Sequence, residues 1–289
     1  MHKTTTNNSI LNNLSVISHQ KSLDCTKISI FLKISLIFAV ANKKCNTFAN
    51  YKPSKTQDMG DIKFIWNRFW IWVRNILIFF FVSSILSVIA FKWVPVYHTP
   101  LMYIRWLEGK APDIKHEWVD LDQISHNMPL AVMGGEDTHF TEHNGFEEKE
   151  ILKARLQALQ GGRERGASTI SQQTAKNVFL WPGHSWIRKG LEAYFTILIE
   201  NIWGKERTME VYLNSIEMGR GIYGVQACAQ EKFHKDARDL TRSECALIAA
   251  TLPNPLERDS ANPSKYVLKH SKRIQREMNA IKDLGWGAK

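Results

Sequence analysis

Apolar and polar residues divide the chain into three parts, of which the middle one is the most apolar. Residues 76–91 carry no charge, and apolar residues continue beyond Lys92 to Val96. A helix needs about 20 apolar residues to cross a bilayer, so we expect a transmembrane anchor over residues 75–96. Aromatic residues flank this segment on both sides, as in the aromatic belts of membrane proteins. They are Trp66, Trp70, Trp72, Trp93 and Tyr97.

Basic residues before the anchor predict its orientation. Three of them precede it closely, namely Lys63, Arg68 and Arg74. Lys and Arg are enriched in cytoplasmic loops. We therefore expect residues 59–74 to be a short cytoplasmic segment, and the chain after the anchor to lie outside the cytoplasm.

The first 58 residues differ in composition from the rest. They contain eight Lys and no Arg, with Asp24 and Asp58 as the only acids. Residues 28–41 resemble the apolar region of a signal peptide, but Lys33 interrupts them. We expect residues 1–58 to be a disordered segment, or an extension upstream of a native start at Met59, and to contribute nothing to the fold.

Residues 97–289 are predicted to form one mainly α domain. Apolar residues recur at helical spacing, and no alternating strand pattern of any length is visible. One helix is expected to end near Glu136, and another to begin with Ser168 as its cap. Thr241 and Glu244 have the spacing of a capping box at the start of a later helix.

Charge and cysteines narrow the class of protein. The formal net charge is +10, and much of the excess lies in the first 58 residues. The rest is mildly basic, which fits an anionic ligand or a membrane surface, and without a nucleic-acid motif we expect no nucleic-acid partner. No two cysteines have C-x-x-C spacing, which disfavours a zinc site built on Cys. Cys228 and Cys245 are expected to be buried free thiols, with a disulfide between them as the alternative.

The stretch EDTHFTEHNG, Glu136–Gly145, allows two interpretations. From His139 to His143 it reads H-x-x-E-H, a string that binds zinc in one class of metalloprotease. Alternatively, the acidic pair Glu136-Asp137 supplies the chemistry. The zinc site would need both histidines on one face of a continuing helix, and the following Asn-Gly interrupts any helix. We therefore favour the acidic pair and predict no metal site.

Five polar blocks follow one another along the outer domain. They are EDTHFTEHNG (136–145), GASTISQQTAKN (166–177), RKGLE (188–192), EVYLN (210–214) and SECALIAATLPNP (243–255). In content and order they resemble the peptidoglycan glycosyltransferase family, and within it the monofunctional, membrane-anchored biosynthetic enzymes. In the family pattern His139 and Glu142 fall at variable positions, so the zinc string is a coincidental overlap.

The resemblance implies a lysozyme-like helical domain behind a single transmembrane helix, and an activity in cell-wall synthesis. Such enzymes polymerise lipid II into linear glycan strands. The MurNAc-linked growing strand passes from undecaprenyl pyrophosphate to the GlcNAc 4-hydroxyl of lipid II, with inversion. The only S-x-x-K that we find lies at Ser18–Lys21 without a K-T-G companion, so no transpeptidase activity is expected.

The resemblance also implies partners and a location. The partners are lipid II, the nascent lipid-linked strand, the membrane and other cell-wall synthesis proteins. The location is the inner (cytoplasmic) membrane, which the chain crosses once with a cytoplasmic N-terminus and a periplasmic catalytic domain.

Roles for individual residues follow from their positions in the five blocks. Glu136 is implied as the general base for the acceptor hydroxyl, and Glu192 as a second active-site carboxylate. Substrate binding is implied for Asp137, Ser168, Thr169, Gln172, Gln173, Lys176, Asn177, Arg188 and Lys189. Structural support is implied for Phe140, His143, Gly145, Glu210 and Asn214. No cofactor is required, although a divalent cation, Mg or Mn, could bind at the pyrophosphate.

Two alternatives accompany these assignments. Arg188 and Glu192 have i,i+4 spacing, so they could form a surface ion pair. A lysozyme-like lytic enzyme, which cleaves glycan with one Glu acid, is the alternative function. Lys176, Arg188 and Lys189 favour a pyrophosphate leaving group, because cleavage of a sugar–sugar bond needs no such cations.

Two departures from the family pattern affect the site. Gly134-Gly135 stands where the family has small non-Gly residues, and each Gly in a helix costs roughly 1 kcal/mol relative to Ala. A looser approach to Glu136 is therefore expected. His184 stands where relatives often carry Arg, and an ordinary His is cationic only below about pH 6.5.

Overall fold

The structure is a computed structural model that describes residues 57–111, 113–148, 152, 156, 168–183 and 185–288. The predicted extension, residues 1–58, lies almost entirely outside the described residues, and so does His184. The chain divides into two compact units, the first ending at Ile76 and the second beginning at Leu77.

Helices make up most of the described chain, as the sequence predicted. In chain order they are α1 (Gln57–Phe91), α2 (Pro100–Leu107), α3 (Asn127–Glu136), α4 (Ile170–Phe179), α5 (Trp186–Ile202), α6 (Lys205–Ser215), α7 (Val225–Phe233), α8 (Arg242–Thr251) and α9 (Lys265–Ala280). Short 3-10 turns lie at Leu121–Gln123 and Ala237–Asp239. The strands are β1 (Lys115–His116), β2 (Glu217–Gly219) and β3 (Ile222–Tyr223).

The long helix α1 contains the predicted anchor. Its segment Lys63–Phe91 is, by length and composition, long and apolar enough to cross a membrane, and few of its residues are buried. These bounds differ from the predicted span of 75–96. The helix starts earlier, at Gln57, and it ends at Phe91, where a turn begins.

The second half of α1 packs against the helical domain that follows it. Ser84 Oγ lies 2.8 Å from the phenol oxygen of Tyr194 in α5. The ring of Phe81 meets the same tyrosine edge to face, with centroids 5.5 Å apart. At the end of α5, Nε1 of Trp203 donates to the carbonyl of Val88 at 2.7 Å. Both apolar packing and hydrogen bonds therefore connect α1 to the domain.

Two groups of helices form the interior of the domain. Helices α3, α8 and α9 pack against one another, whereas α4 packs against α5 and α6. Met133, Ile248 and Ile274 belong to the core of the first group. In the second group Phe179 and Phe195 stack with ring centroids 4.5 Å apart. The first block of polar residues begins at the end of α3, and the second lies on α4.

A small sheet, in the order β1-β3-β2, joins the helices. β1 is parallel to β3 and β2 is antiparallel to it. The sequence did not predict it, because strands of two or three residues are too short to show an alternating pattern. Gly224 follows β3 with φ +79°, and a Cβ there would lie 2.6 Å from the carbonyl oxygen of Asn214. The close approach of the sheet to α6 thus depends on a glycine.

Two local predictions have different outcomes. The capping box of Thr241 and Glu244 is confirmed at the start of α8. Ser168, in contrast, is not the cap of α4. The cap is Thr169, which forms a capping box with Gln172. Local sequence could not distinguish the neighbours, since both Ser and Thr are good N-caps.

The cysteine prediction is confirmed for the two cysteines that the structure describes. Cys228 and Cys245 are free thiols, and both are buried. Burial raises the pKa of each thiol to about 12. They are therefore protonated and unreactive at neutral pH.

Candidate active site

Glu136 is the last residue of α3, so its side chain projects from the end of a mostly buried helix. One carboxylate oxygen accepts a hydrogen bond from Gln173 Nε2 of α4 at 2.8 Å. Burial raises the pKa of Glu136 above its usual value, while the hydrogen bond from Gln173 and the positive charge of Lys176 act in the opposite direction. A carboxylate with a raised pKa is a stronger base than an exposed one.

Tyr212 orients Gln173 from the opposite side of that amide. Its phenol donates to Gln173 Oε1 at 3.2 Å, which leaves the amide nitrogen directed at Glu136. Sequence analysis missed this residue, although it lies in the EVYLN block between two predicted supports. The available signal was an aromatic side chain with a polar tip inside a polar block.

Asp137, for which the resemblance implied a substrate contact, is held by protein groups on both of its oxygens. It is 4% exposed, and its two oxygens lie 2.9 and 3.0 Å from His143 Nε2. One of them also accepts from the backbone N–H of Ile170, the first residue of α4, at 3.0 Å. A carboxylate at a helix N-terminus is stabilised by the unpaired N–H groups there, so Asp137 joins the end of α3 to the start of α4.

His143 is fully engaged by the protein. The backbone N–H of Gly145 donates to Nδ1 at 3.1 Å, so that nitrogen is unprotonated and Nε2 carries the proton shared with Asp137. Phe140 packs edge-on against the imidazole. The supporting roles predicted for this block therefore have a geometric basis.

The zinc interpretation of His139–His143 does not fit the geometry. These residues form a turn after α3 has ended, and His139 bonds to Glu142 at the surface. Ligand atoms of Asp137, His143 and Glu147 do lie within 4.8 Å of one another. Asp137 and His143, however, already bond to each other and to backbone N–H groups, so they are poor candidates for metal ligands.

The start of α4 contains residues with two different functions. Thr169 and Gln172 are buried and occupied by their capping box, and Thr169 Oγ1 also donates to the carbonyl of Gly145 at 2.7 Å. These hydrogen bonds hold the start of the helix in place, and the substrate contacts implied for the two residues stay a prediction. Ser168, which is partly buried, lies 3.4 Å from Lys189 Nζ and belongs to the cationic side of the site.

Glu192 is the centre of a buried charge cluster on α5. It is 2% exposed and accepts hydrogen bonds from Arg188 Nη1, at 2.7 Å, and from Lys189 Nζ. Arg188 is 7% exposed, so the alternative of a surface ion pair is wrong. Within the described chain, the Nε of Arg188 is buried and has no hydrogen-bond partner.

Lys176 lies within the electrostatic reach of both carboxylates. Burial lowers the pKa of Lys176, Arg188 and Lys189 lower it further, and Glu192 and Glu136 oppose this. Lys176 thus interacts electrostatically both with Glu136 at the end of α3 and with the charge cluster on α5. The neighbouring Asn177 is buried.

Glu210 and Asn214 hold the segment before α3 in place. The Asn214 amide accepts from Val119 N at 3.0 Å and donates to Val119 O at 2.9 Å. Glu210 accepts from Leu121 N at 3.0 Å. These hydrogen bonds join residues that are about 90 positions apart in the sequence. They are consistent with the predicted supporting roles of Glu210 and Asn214.

The predicted site residues therefore separate into two sets. The first set consists of Glu136, Gln173 and a charged group, which are connected by hydrogen bonds or by electrostatic interaction. The charged group contains the cations Lys176, Arg188 and Lys189 and the carboxylate of Glu192, with Ser168 at its edge. The remaining predicted residues are Asp137, Phe140, His143, Gly145, Thr169, Gln172, Asn177, Glu210 and Asn214. They are buried in the protein or bonded to other parts of it.

These features define a class of protein. It is a mainly helical domain that follows a helix of membrane-spanning length along the chain, and its candidate site contains a carboxylate, Glu136, and several cations. Residues 104–279 match the family model described as Transglycosylase. The chain belongs to the transglycosylase family, and its helical fold is lysozyme-like.

Similar proteins cover most of the chain. A biosynthetic peptidoglycan transglycosylase of Bacteroides thetaiotaomicron is 58% identical over 214 residues, which are 73% of this chain and 86% of the relative. A protein of the same name from Caulobacter vibrioides is 47% identical over 214 residues, covering 73% and 93%. Another from Pseudomonas aeruginosa is 45% identical over 206 residues, covering 70% and 89%.

Proposed function

We propose that this protein polymerises lipid II into linear glycan strands of peptidoglycan, without transpeptidase activity. The growing MurNAc-linked strand is transferred from undecaprenyl pyrophosphate to the GlcNAc 4-hydroxyl of lipid II. The observation that carries the proposal is the Glu136 carboxylate held by Gln173, together with the cluster in which Glu192 holds Arg188 and Lys189. Burial raises the pKa of Glu136, and the charge of Lys176 acts on it in the opposite direction. The names of the relatives also support it.

Glu136 takes the proton in this mechanism. As the acceptor O4 attacks C1 of the donor MurNAc, its hydroxyl proton passes to the Glu136 carboxylate. The C1–O bond breaks at the same time, and its electron pair leaves with the pyrophosphate. One displacement inverts C1 and requires no covalent intermediate. Gln173 fixes the position of the carboxylate, since its Nε2 donates to it at 2.8 Å.

The cations stabilise the departing pyrophosphate. Lys176, Arg188 and Lys189 supply positive charge, and the buried Nε of Arg188 is a donor without a partner in the described chain. Glu192 holds two of these cations by hydrogen bonds. Three side-chain cations make a metal ion unnecessary in this proposal, and an added Mg²⁺ or Mn²⁺ would act at the same phosphates.

We further propose that residues 75–91 of α1 belong to a single membrane span, with a cytoplasmic N-terminus and residues 97–289 as a periplasmic catalytic domain. The apolar helix and the basic residues before it support this orientation. Partners are then the lipid-linked substrates, the membrane and other cell-wall synthesis proteins.

Glu136→Gln tests the proposal. The amide keeps the shape of the side chain but is no base, and losing a general base costs typically about 10²–10⁴-fold in rate. We expect polymerisation of labelled lipid II to fall by that factor while equilibrium binding of lipid II persists. Glu142→Gln is the matched control, because Glu142 is an exposed carboxylate on the same turn and its loss should leave the rate unchanged.

Two outcomes would contradict the proposal. Turnover of Glu136→Gln near that of the unaltered protein would exclude Glu136 as the base. Release of soluble fragments from isolated peptidoglycan, without polymerisation of lipid II, would instead favour the lytic alternative.

A further inference from the structure

Arg258 lies in the segment after α8 and folds back onto the end of that helix. Its backbone N–H bonds to the carbonyl of Asn254 at 3.0 Å, and its Nη1 donates to the carbonyl of Ala250 at 3.3 Å. The guanidinium lies over the ring of Tyr266, with Cζ 4.8 Å from the centroid. These contacts fix a partly buried cation at the end of α8.

The end of α8 lies against the end of α3, which carries Glu136. A Cβ built at Gly135 would be 3.7 Å from Ala249 Cβ, which is ordinary contact distance. Gly135 precedes Glu136 directly, and Ala249 precedes Ala250, the residue to which Arg258 is bonded. The Glu136 carboxylate thus belongs to the end of α3, and the Arg258 guanidinium is bonded to the last turn of α8, which packs against it.

We propose that Arg258 is a positioning residue that keeps the Glu136 carboxylate ionised while the substrates are bound. The inference rests on the proposed function, in which Glu136 is the general base. None of the five polar blocks includes Arg258, which follows the last of them by three residues.

The electrostatic surroundings of Glu136 support this role. Burial is the largest influence and raises its pKa, Asp137 raises it too, and Gln173, Lys176 and Arg258 lower it. Among the described residues, five titratable or charged groups surround the end of α3. They are Asp137 beside it, Lys176 from α4, Tyr212 from α6, Arg258 after α8 and Glu277 of α9, whose Cβ lies 3.3 Å from a Cβ built at Gly134. Among these groups the cations are Lys176 and Arg258.

When substrate is bound, Lys176 and Arg258 differ in how strongly they favour the ionised form of Glu136. In the proposed mechanism Lys176 contacts the leaving pyrophosphate, whose negative charge offsets its own. A neighbouring pyrophosphate also favours the protonated, inactive form of Glu136. Arg258, in contrast, is held by a carbonyl and an aromatic ring and not by a carboxylate among the described ion pairs, and a guanidinium stays charged across the working pH range. It therefore remains as the cation that favours the ionised base.

The test is the pH dependence of lipid II polymerisation by the full-length protein carrying Arg258→Met. Removing the cation raises the pKa of Glu136, so less of it is ionised at low pH. We expect the acidic limb of both kcat and kcat/KM to move to higher pH. A shift of 0.5 to 1 unit lowers the rate on that limb by about 3- to 10-fold, whereas the rate at pH 8 to 9 should be nearly retained.

Two further variants control for charge and for structure. Arg258→Lys keeps the charge and should keep the acidic limb in place. Arg220→Met removes a guanidinium that donates to the carbonyl of Leu256 at 3.4 Å, in the same segment, and should not move the limb. If Arg258→Met does not fold, Arg258→Gln retains an N–H donor for Ala250 and should show the same shift.

A loss of rate that is equal at every pH would mean that Arg258 is only structural and would overturn the inference. An unaltered profile would do the same. The proposed function is judged separately: an active Glu136→Gln protein contradicts it. An inactive Glu136→Gln protein together with an unmoved Arg258→Met profile contradicts only the role of Arg258.

Discussion

Glu192 shows how one residue can contribute to both stability and charge balance. Its buried carboxylate accepts from Arg188 and Lys189, and Arg188 is itself buried. Desolvating such a pair is costly, and removing one partner leaves a buried charge without compensation. The unfavourable desolvation of these charges is therefore offset by the attraction among them only while all three side chains are present.

Glu192→Gln should lower the free energy of unfolding by about 3 kcal/mol, as expected when a buried ion pair loses one member. Polymerisation should fall as well, because Arg188 and Lys189 lose the group that positions them. Denaturant unfolding and a lipid II assay measure the two effects. Glu231→Gln is the control, since its pair with Lys115 is exposed at 38% and 47% and should contribute only about 0–1 kcal/mol. Equal losses in the two variants would contradict the buried-cluster account.

At the scale of the element, Gly134 and Gly135 at the end of α3 were expected from the sequence to loosen the helix before Glu136. Their contacts with α9 indicate the opposite effect. A Cβ at Gly134 would lie 3.3 Å from Glu277 Cβ and 3.4 Å from the Ile274 carbonyl oxygen. A Cβ at Gly135 would lie 3.2 Å from Ile274 Cδ1. The absence of side chains lets α9 approach α3 closely, and this packing offsets the poor helix propensity of glycine.

Gly134→Ala should therefore destabilise the protein by about 1 kcal/mol, because overpacking costs about 1–3 kcal/mol and improved helix propensity returns up to about 1. Gly190→Ala is the matched change in α5, where no atom of the described residues lies within 4 Å of the new Cβ. It should stabilise by about 0.5–1 kcal/mol. Thermal unfolding of both variants decides the matter: a stabilised Gly134→Ala protein would show that the contact between α3 and α9 is loose.

Elements with strong local signals could be predicted from the sequence. The end of α3 at Glu136 and the capping box at Thr241 depend on neighbouring residues, and both predictions agree with the structure. The short sheet could not be predicted, because its pairing joins β1 to strands about a hundred residues away.

The same limit applies to the site. The polar blocks contained the candidate carboxylates and cations, but spacing along the chain could not separate ligand-facing groups from scaffold. Asp137 and Thr169 show this, since their partners lie on other elements. Arg258 has no motif at all, and its relation to Glu136 arises only from the packing of α8 on α3.

At the scale of the whole molecule, the backbone carbonyls at the end of α1 form its junction with the domain that follows. The last four carbonyls of an α-helix have no partner within it. Here those of Ile89 and Ala90 accept from the turn that follows. The carbonyls of Val88 and Phe91 accept from Trp203 Nε1 at 2.7 Å and Arg207 Nη2 at 2.9 Å. The domain thus caps the helix that we propose as its anchor.

Arg207 connects the end of α1 to the EVYLN block by hydrogen bonds. Its Nη2 also donates to the carbonyl of Val94 at 2.8 Å, and its Nη1 to Glu210. Glu210 in turn accepts from the backbone of Leu121. A single guanidinium therefore joins the end of the helix to a segment that supports the site.

Arg207→Met should loosen this junction while leaving the base and the cations intact. Methionine keeps much of the apolar stem but has no donors, and hydrogen bonds from a charged group contribute about 1.5–3 kcal/mol each. We expect amide hydrogen exchange in residues 92–96 to become about tenfold faster, because local opening that is easier by about 1.4 kcal/mol raises the exchange rate by that factor. Arg238→Met, at an exposed arginine, is the control and should leave exchange in that segment unchanged.

The functional consequence of Arg207→Met depends on where the substrate is held. Lipid II in a bilayer reaches the site only if the domain is held at a suitable height, so its polymerisation in liposomes should fall. A short-chain, water-soluble analogue meets no such constraint, and its rate should change little, because Glu136 and Lys176 do not contact Arg207. Measuring both substrates with one preparation separates the two cases. An equal loss on both would mean that Arg207 acts through Glu210 on the site itself, and that the junction with α1 does not control access to the membrane.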